Sequence, residues 1–341
     1  MERLLDMTME ELEAAVVGTG QPAYRAAQLA DWVYGKNVTD PSAMSNLPAA
    51  LAGRFEILTS RVARRVDSRD GTIKLLLEMR DGQCIECVLI PARTRATACL
   101  STQVGCAMGC AFCASGLGAM KRNLRAGEIL EQMVHLRAAS GLRVTHVVFM
   151  GMGEPLANYD ATLAAIRAIV DPRRFGISAR RVTVSTVGLP SQVRRLAGED
   201  LPVTLALSLH APNDALRRRL VPAAVRYGLA EVLEAVDEFF QARKREVTLE
   251  YVLLAGVNDT NVCAEAMARI ATRLRCNVNL IRYNPVPSLP FRSPSQAQVR
   301  AFAERLSRCG VNVQVRRSRG LDADAACGQL RLRELPQSGG G

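Results

Sequence analysis

The stretch GCAMGCAFC, residues 105–113, decides how this chain of 341 residues is interpreted. Its cysteines form a C-x3-C-x2-C pattern and are Cys106, Cys110 and Cys113. Three thiolates at this spacing are typical of a [4Fe–4S] cluster that leaves one iron open to a small molecule. A zinc site would need a fourth ligand, but Cys99 lies seven residues upstream and the next histidine is His135. The pattern therefore predicts an iron–sulfur loop, and zinc is the weaker alternative.

Short β-rich runs alternate with helical patterns from residue 98 onward. The β-rich runs are 98–104, 144–150, 181–187, 203–209, 247–254 and 278–283. The helical patterns are 127–140, 160–170, 228–243, 260–274 and 295–309. Nearly continuous apolar strands that alternate with helices indicate a parallel sheet covered on its outside. Polar residues follow strand after strand, which favours an α/β fold of the partial (β/α)6 TIM-like barrel type over a doubly wound sheet. A later run, 311–317, would extend the sheet.

Two smaller units are expected upstream of the barrel. Residues 1–58 are expected to form a small helical domain, because Thr8 and Glu11 have capping-box spacing before an apolar-periodic stretch. Residues 59–94 form a β extension whose strands turn at Asp70-Gly71 and Asp81-Gly82. The barrel core, with a C-terminal cysteine loop, then occupies residues 95–335.

The charge of the chain favours a partner that is rich in phosphate. The net charge is +11, and only Lys36, Lys74, Lys121 and Lys244 are lysines among 44 basic residues. Arginine binds phosphate through two parallel hydrogen bonds, which favours nucleic acid, although arginines on solvated helix faces would give the same composition. Aromatic residues make up 4% of the chain, so a stacking platform for single strands is weakly supported.

The compartment is expected to be the cytoplasm. No run of 18 apolar residues occurs, and the N-terminal stretch MERLLDMTMEELEAAV is acidic where a signal peptide would be basic. Ten cysteines without a secretory signal argue against a disulfide framework. Three of them, Cys263, Cys276 and Cys309, are expected to be packing residues of the core.

Further candidate residues lie at the ends of later strands. The stretch MGMGEP (150–155) brings glycines and an acid to a strand end, where the main chain can approach a ligand closely. A single residue of this kind has an ordinary structural explanation, since a lone histidine is more often a satisfied core residue. The strand-end candidates are Gly153, Glu154, Ser185, Ser208, Leu209, His210 and Asn284.

Taken together, these motifs resemble the radical S-adenosylmethionine (SAM) superfamily, and most closely the RlmN/Cfr family of RNA adenine methyltransferases. The motifs that carry the resemblance are RATACLSTQVGCAMGCAFC, RNL, MGMGEPLAN, RRVTVSTVG, LSLHAPND, NLIRYNP and DADAACGQL, between residues 95 and 330. The resemblance implies that the three loop cysteines ligate a [4Fe–4S] cluster whose open iron chelates SAM. It also implies that the seven strand-end candidates contact SAM and that each turnover consumes two SAM molecules. For residues 1–58, the family resemblance implies a helical accessory domain.

The resemblance assigns a role to three further residues. Cys327, in DADAACGQL, matches the cysteine that carries the methyl group, although alone it would be interpreted as a packing residue. Cys99 matches the resolving thiol, which forms a transient disulfide with Cys327 after methyl transfer. Glu86 matches the proton acceptor that removes the ring proton.

The substrate implied by the resemblance is C2 of an adenine in 23S rRNA, at the peptidyl transferase centre. Some members also modify the adenosine next to the tRNA anticodon, which the sequence leaves open. An electron donor such as a flavodoxin system is expected, with no membrane partner and a monomer as the default. The alternatives are a C8 adenine methyltransferase of the Cfr type, a non-catalytic iron–sulfur RNA-binding protein, and a zinc-bound RNA-binding module.

Overall fold

The computed structural model describes residues 1–274, 276–316 and 319–330. The helices are α1 (Met9–Val17), α2 (Tyr24–Ala30), α3 (Ala49–Ala52), α4 (Ala126–Ser140), α5 (Tyr159–Val170), α6 (Pro190–Gly198), α7 (Asp214–Leu220), α8 (Leu229–Arg243), α9 (Asn261–Leu274) and α10 (Gln296–Arg308). The first strands are β1 (Glu2–Arg3), β2 (Phe55–Glu56), β3 (Arg61–Asp67), β4 (Ile73–Glu78), β5 (Cys84–Ala92), β6 (Arg95–Cys99), β7 (Gln103–Val104) and β8 (Arg122–Asn123). The later strands are β9 (His146–Phe149), β10 (Val182–Thr186), β11 (Thr204–Ser208), β12 (Thr248–Leu253), β13 (Asn277–Arg282) and β14 (Val313–Arg316).

The N-terminal module begins with the predicted capping box. The Thr8 hydroxyl accepts from the Glu11 N–H at 3.1 Å, and the Glu11 carboxylate accepts from the Thr8 N–H at 2.7 Å. These two bonds satisfy main-chain donors that the first turn of α1 leaves without helical partners. The pairing of β1 with β2 ties the two ends of this module together.

Ten of the described strands form the main sheet, in the order β14-β13-β12-β11-β10-β9-β6-β5-β4-β3. Every neighbouring pair from β6 to β14 is parallel, whereas β3, β4 and β5 are antiparallel to their neighbours. The α/β prediction is confirmed, and β14 extends the six predicted strands by a seventh parallel one. In barrels of parallel strands the catalytic residues lie at the carboxyl ends of the strands. The parallel arrangement therefore sets the position of the site.

The β extension consists of the three antiparallel strands β3, β4 and β5, and it continues directly into the barrel sheet. Its predicted turns are present, with Gly71 at φ 82° and Gly82 at φ 75°, a conformation that L side chains rarely adopt. β5 then pairs with β6, so that Val88 lies opposite Cys99. The division into 1–58, 59–94 and 95–335 stays a prediction, and residues 331–335 lie outside the described residues.

The structure differs from the predictions in three respects. The predicted run 98–104 is divided: β6 ends at Cys99, and β7 pairs with β8 in a separate two-stranded sheet. Helices α6 and α7, of nine and seven residues, were not predicted, although Val193, Leu196 and Ala197 have helical spacing in α6. Cys309 was predicted to be a core residue; this is wrong, because it caps the end of α10 and is exposed.

Among the residues that the structure describes, no helix combines the length and apolar character needed to cross a bilayer.

Candidate active site

One cavity lies at the carboxyl ends of the parallel strands and is bordered by two loops. The predicted site residues that line it are Cys106, Cys110, Cys113, Gly153, Glu154, Ser185, Ser208, His210, Asn284 and Cys327. Glu250 of β12 and Arg316 of β14 also line it. Because one cavity is reached from β10, β11, β12 and β14 alike, the sheet must curve around it. The curvature brings together residues that are more than two hundred positions apart in the sequence.

The loop of the three cysteines is held in a tight conformation by its glycines and by α7. Gly105 has φ 80°, and a Cβ there would lie 2.8 Å from the main-chain oxygen of Ala119, so only glycine fits. The Ala111 N–H donates to the Leu220 carbonyl at the end of α7, at 2.9 Å. The loop is therefore fixed against the barrel wall rather than extended into solvent.

The donor set of this loop fits a cluster better than a single ion. Burial raises the pKa of the Cys106 thiol to about 11 and raises those of Cys110 and Cys113 as well. Coordination to a metal is the means by which such buried thiols become thiolates at neutral pH. Among the described residues, no three His, Cys, Asp or Glu side chains converge closely enough to hold one metal ion. Three cysteine sulfurs on one loop are the soft donors that iron–sulfur clusters take.

His210 is a buried, neutral histidine beside the cysteine loop. The Val252 N–H donates to its Nδ1 at 3.2 Å, which places the ring proton on Nε2. Its ring meets that of Phe112 edge-on, with 4.8 Å between the centroids. Burial, aided by the charge of Arg217, lowers the pKa of His210 to about 3. His210 is thus an uncharged hydrogen-bond donor at the cavity wall.

Gly153 and Glu154 join the end of β9 to two neighbouring segments. A Cβ on Gly153 would lie 2.6 Å from Cβ of Gln103, and φ at Gly153 is 100°. The Glu154 carboxylate accepts from the N–H groups of Leu156, at 3.0 Å, and Val187, at 2.8 Å. Burial raises the pKa of Glu154 to about 7, against those hydrogen bonds. The carboxylate orders two strand ends and still lines the cavity.

The hydroxyl groups of Ser185 and Ser208 meet on adjacent strands, with 3.3 Å between the oxygens. Leu209 differs from the other predicted SAM contacts, since its side chain lies fully buried in the core. Leu209 is not among the described residues that line the cavity, and both its main-chain groups are hydrogen-bonded, so it stays a predicted contact.

The segment 319–330, called here the Cys327 loop, covers the cavity from the C-terminal side. Asn284 Nδ2 donates to the Cys327 carbonyl at 3.1 Å. The Ala114 N–H, next to Cys113, donates to the Gly328 carbonyl at 2.8 Å. Cys327 itself is exposed. The loop is thus attached both to a strand end and to the cysteine loop.

Glu86 and Cys99 lie deeper, on the β5–β6 pair. Val88 is opposite Cys99, and side chains two residues apart share a face, so Glu86 and Cys99 point to the same side of the sheet. Glu86 is 1% exposed and forms an ion pair with Lys74, with 3.1 Å between Oε1 and Nζ. Burial and the nearby Cys327 raise the pKa of Cys99 to about 12, whereas Arg316 opposes the shift. Neither Glu86 nor Cys99 is among the described residues that line the cavity, so both stay predicted site residues.

Comparisons with known proteins agree with this geometry. Residues 100–264 match the Radical SAM superfamily model, and residues 3–59 match that of the ribosomal RNA large subunit methyltransferase N-terminal domain. A protein of Thermosynechococcus vestitus, named dual-specificity RNA methyltransferase RlmN, is 46% identical over 97% of this chain and 99% of its own length. The chain belongs to the RlmN family.

Further relatives of the RlmN family cover the chain equally well. A protein of Rhodopirellula baltica with the same name is 44% identical, over 96% of this chain and 90% of its own length. The crystal structure of a radical SAM methyltransferase from Sphaerobacter thermophilus is 44% identical, with a TM-score of 0.93, and covers 97% of this chain and 99% of that one. Membership of this radical SAM family implies that the chain uses SAM and an iron–sulfur cluster.

Four charged residues of this RlmN-family site were not predicted. They are Lys74, Arg217, Glu250 and Arg316. Glu250 interrupts an otherwise apolar strand, VTLEYVLL, and this is a signal that the sequence offers. Arg217 is one of three consecutive arginines, and only the fold shows that it is the buried one. Arg316 lies 3.6 Å from Glu250, between Nη1 and Oε2, and the charge of Cys327 contributes most to raising its pKa.

Proposed function

We propose that this chain is a radical SAM methyltransferase that methylates C2 of an adenine in 23S rRNA, at the peptidyl transferase centre. The adenosine next to the tRNA anticodon is proposed as a second substrate, in line with the dual-specificity name of the relatives. The observation that carries the proposal is the shared cavity, which Cys327 lines together with the three loop cysteines. A binding protein without catalysis would have no use for an exposed thiol at that place.

Cys106, Cys110 and Cys113 are the proposed ligands of a [4Fe–4S] cluster. The proposed SAM contacts are Gly153, Glu154, Ser185, Ser208, Leu209, His210 and Asn284. When bound, SAM and the cluster would supply a methyl group from one SAM molecule and a 5′-deoxyadenosyl radical from a second. His210 offers a neutral Nε2–H, whereas Glu154 and the two serines offer oxygen atoms that suit an ammonium group.

Cys327 is proposed to carry the methyl group. Adenine C2 is an electron-poor carbon and a weak nucleophile, so direct displacement at SAM does not reach it. The Cys327 sulfur first accepts the methyl group by displacement. The S-methyl group then loses a hydrogen atom, and its carbon adds to C2, which joins the chain to the RNA.

Glu86 and Cys99 complete the proposed cycle. The Glu86 carboxylate accepts the proton from C2 of the adduct, and the unpaired electron of the adduct would pass to the proposed cluster. The Cys99 sulfur then attacks the Cys327 sulfur, and a Cys99–Cys327 disulfide forms as the carbon–sulfur bond to the RNA breaks. The carbon that leaves takes up the proton of the Cys99 thiol and becomes the methyl group on C2. The orientation of Glu86 and Cys99 to one side of the sheet supports the proposal that both act on the same adduct.

The RNA partner is supported by the exposed arginines of the β extension. β3 has the sequence RVARRVD, and Arg61 and Arg64 are exposed along it. Arginines on an exposed strand suit phosphate contacts. A flavodoxin system as electron donor, a monomeric state and a cytoplasmic location complete the proposal.

Mass spectrometry of adenosine from rRNA and tRNA of a deletion strain tests this function. Loss of 2-methyladenosine from both RNAs, restored by the wild-type gene but not by Cys327→Ala, is the expected result. Loss of 8-methyladenosine instead would assign the chain to the C8 type. Cys99→Ala is expected to accumulate a covalent protein–RNA adduct, because the resolving sulfur is missing.

A further inference from the structure

Lys74 lies in the interior of the β extension and contacts two parts of the proposed site. Its side chain is 4% exposed, and Nζ lies 3.1 Å from Oε1 of Glu86, whose side chain is 2% exposed. Nζ also donates to the main-chain oxygen of Asp324, at 3.0 Å. One ammonium therefore contacts both the proposed base and the Cys327 loop.

This ion pair has a cost that packing alone does not explain. Moving two charges out of water costs several kcal/mol, and apolar residues of similar volume often replace such pairs without loss of stability. The other residues of β4 up to its last position are Ile73, Leu75, Leu76 and Leu77, all buried. A methionine at position 74 would fill the same space, so the charge of Lys74 calls for a role at Glu86.

The hairpin of β3 and β4 holds the Cys327 loop through two carboxylates, Asp70 and Asp322, which we call the hairpin clasp. Asp70 accepts from the Gly320 N–H at 3.1 Å. Asp322 accepts from the Ser68 hydroxyl and from the Arg69 N–H, the latter at 3.1 Å. The contact of Lys74 with Asp324 therefore exists in the arrangement in which the clasp is closed.

We propose that Lys74 is a positioning residue that orients the Glu86 carboxylate and links its orientation to docking of the Cys327 loop. This inference rests on the proposed function of Glu86 and Cys327. Lys74 keeps its proton and forms no bond to RNA, and the C2 proton passes to Glu86. The Asp324 carbonyl of the docked loop holds the ammonium beside Glu86, so the carboxylate is oriented while the loop is docked. Proton removal is thereby confined to the docked loop.

The test measures the ratio of covalent protein–RNA adduct to methylated RNA after a single turnover. This ratio does not depend on how much of each variant is folded. A positioned base speeds proton transfer by about 10²- to 10⁴-fold. Because Lys74→Met leaves the base in place but no longer oriented, the ratio should rise by part of that factor, about tenfold or more. RNA deuterated at C2 should raise it further. Lys74→Arg, which keeps the charge, should return the ratio most of the way to that of the wild type.

Three further variants separate the possible failures. Lys36→Met removes an exposed lysine that pairs with Asp31 and should leave the ratio unchanged. If Glu86→Gln does not raise the ratio, the proposed base is wrong and the inference falls with it. If Glu86→Gln raises the ratio but Lys74→Met does not, the role of Lys74 alone is overturned. Asp322→Asn loosens the clasp with Lys74 intact, and an unchanged ratio there would overturn the coupling to the loop.

Discussion

Asn284 Nδ2 donates to the carbonyl oxygen of Cys327 over 3.1 Å, which ties the end of the barrel sheet to the proposed methyl carrier. The contact joins a residue just beyond β13 to a residue 43 positions later. A cavity-lining amide therefore holds the main chain of the Cys327 loop, while the thiol remains exposed.

Loss of this contact should free the Cys327 loop. In Asn284→Ala the main chain at Cys327 loses a donor, so the thiol should react faster with iodoacetamide than in the wild type. Mass spectrometry of the alkylated peptides measures the rate. Cys309, which is exposed at the end of α10, is an internal control whose rate should not change. Equal Cys327 rates in both proteins would show that Asn284 does not restrain the loop.

The buried His210 should make the protein less stable as the pH falls. The unfolded histidine takes up a proton below about pH 6.5, whereas the folded one does so only near pH 3. The free energy of unfolding should therefore fall between pH 6.5 and pH 3, by about 2 kcal/mol down to pH 5.

Urea unfolding of the wild type and His210→Gln at pH 7 and pH 5 checks this. Burial lowers the pKa of the other two histidines, His135 and His146, as well, so they contribute in the same direction in both proteins. The variant should lose less stability than the wild type over this interval. Identical losses would assign the pH dependence to other groups.

Arg217 should raise the reduction potential of the proposed cluster. Its side chain is 1% exposed and donates to the Val187 carbonyl, and its charge acts on the Cys110 thiol. A buried positive charge favours the reduced, more negative cluster. Arg217→Met should therefore lower the potential, as measured by a redox titration followed by electron paramagnetic resonance.

The neighbouring residue on α7 provides the control for that titration. Arg218 is exposed, so Arg218→Met should leave the potential close to that of the wild type because solvent screens its charge. Equal shifts in both variants would point to a general change of the protein rather than to the buried cation.

The hairpin clasp should stabilise the folded protein at neutral pH. Burial opposes ionisation of Asp70, but hydrogen bonds from Thr72, Gly320 and Ser68 outweigh it and lower its pKa to about 2. This stabilisation is fully present above the pKa that Asp70 has in the unfolded chain, and it is lost as the pH falls toward 2. Because the Asp70 side chain is 28% exposed, Asp70→Asn should cost only about 1 kcal/mol at pH 7.

Equilibrium unfolding measures the effect of Asp70→Asn. Asp67→Asn is the matched control, since Asp67 lies on the same hairpin, is exposed and pairs with Arg65 at the surface. A surface pair of that kind contributes little, so the control should unfold almost as the wild type does. Similar losses in both variants would argue against a special role of the clasp.

Local features were predictable where local chemistry determines them. The capping box at Thr8, the turns at Gly71 and Gly82, and the alternation of strands and helices each depend on residues close together in the chain. The Cys327 loop was chosen from its motif, because small neighbours and a single cysteine carry no such signal by themselves. The short helices α6 and α7 were missed, although the buried positions of α6 follow a helical period.

The sequence by itself determined the cysteine pattern, the strand rhythm and the family resemblance. The tertiary structure alone decided that Lys74 meets both Glu86 and Asp324, that Arg217 is the buried member of an arginine run, and that Asn284 holds Cys327. Periodicity and capping arise from neighbours a few residues apart. Contacts such as that of Lys74 with Asp324 span 250 residues and depend on strand register and sheet curvature, which no short stretch of sequence contains.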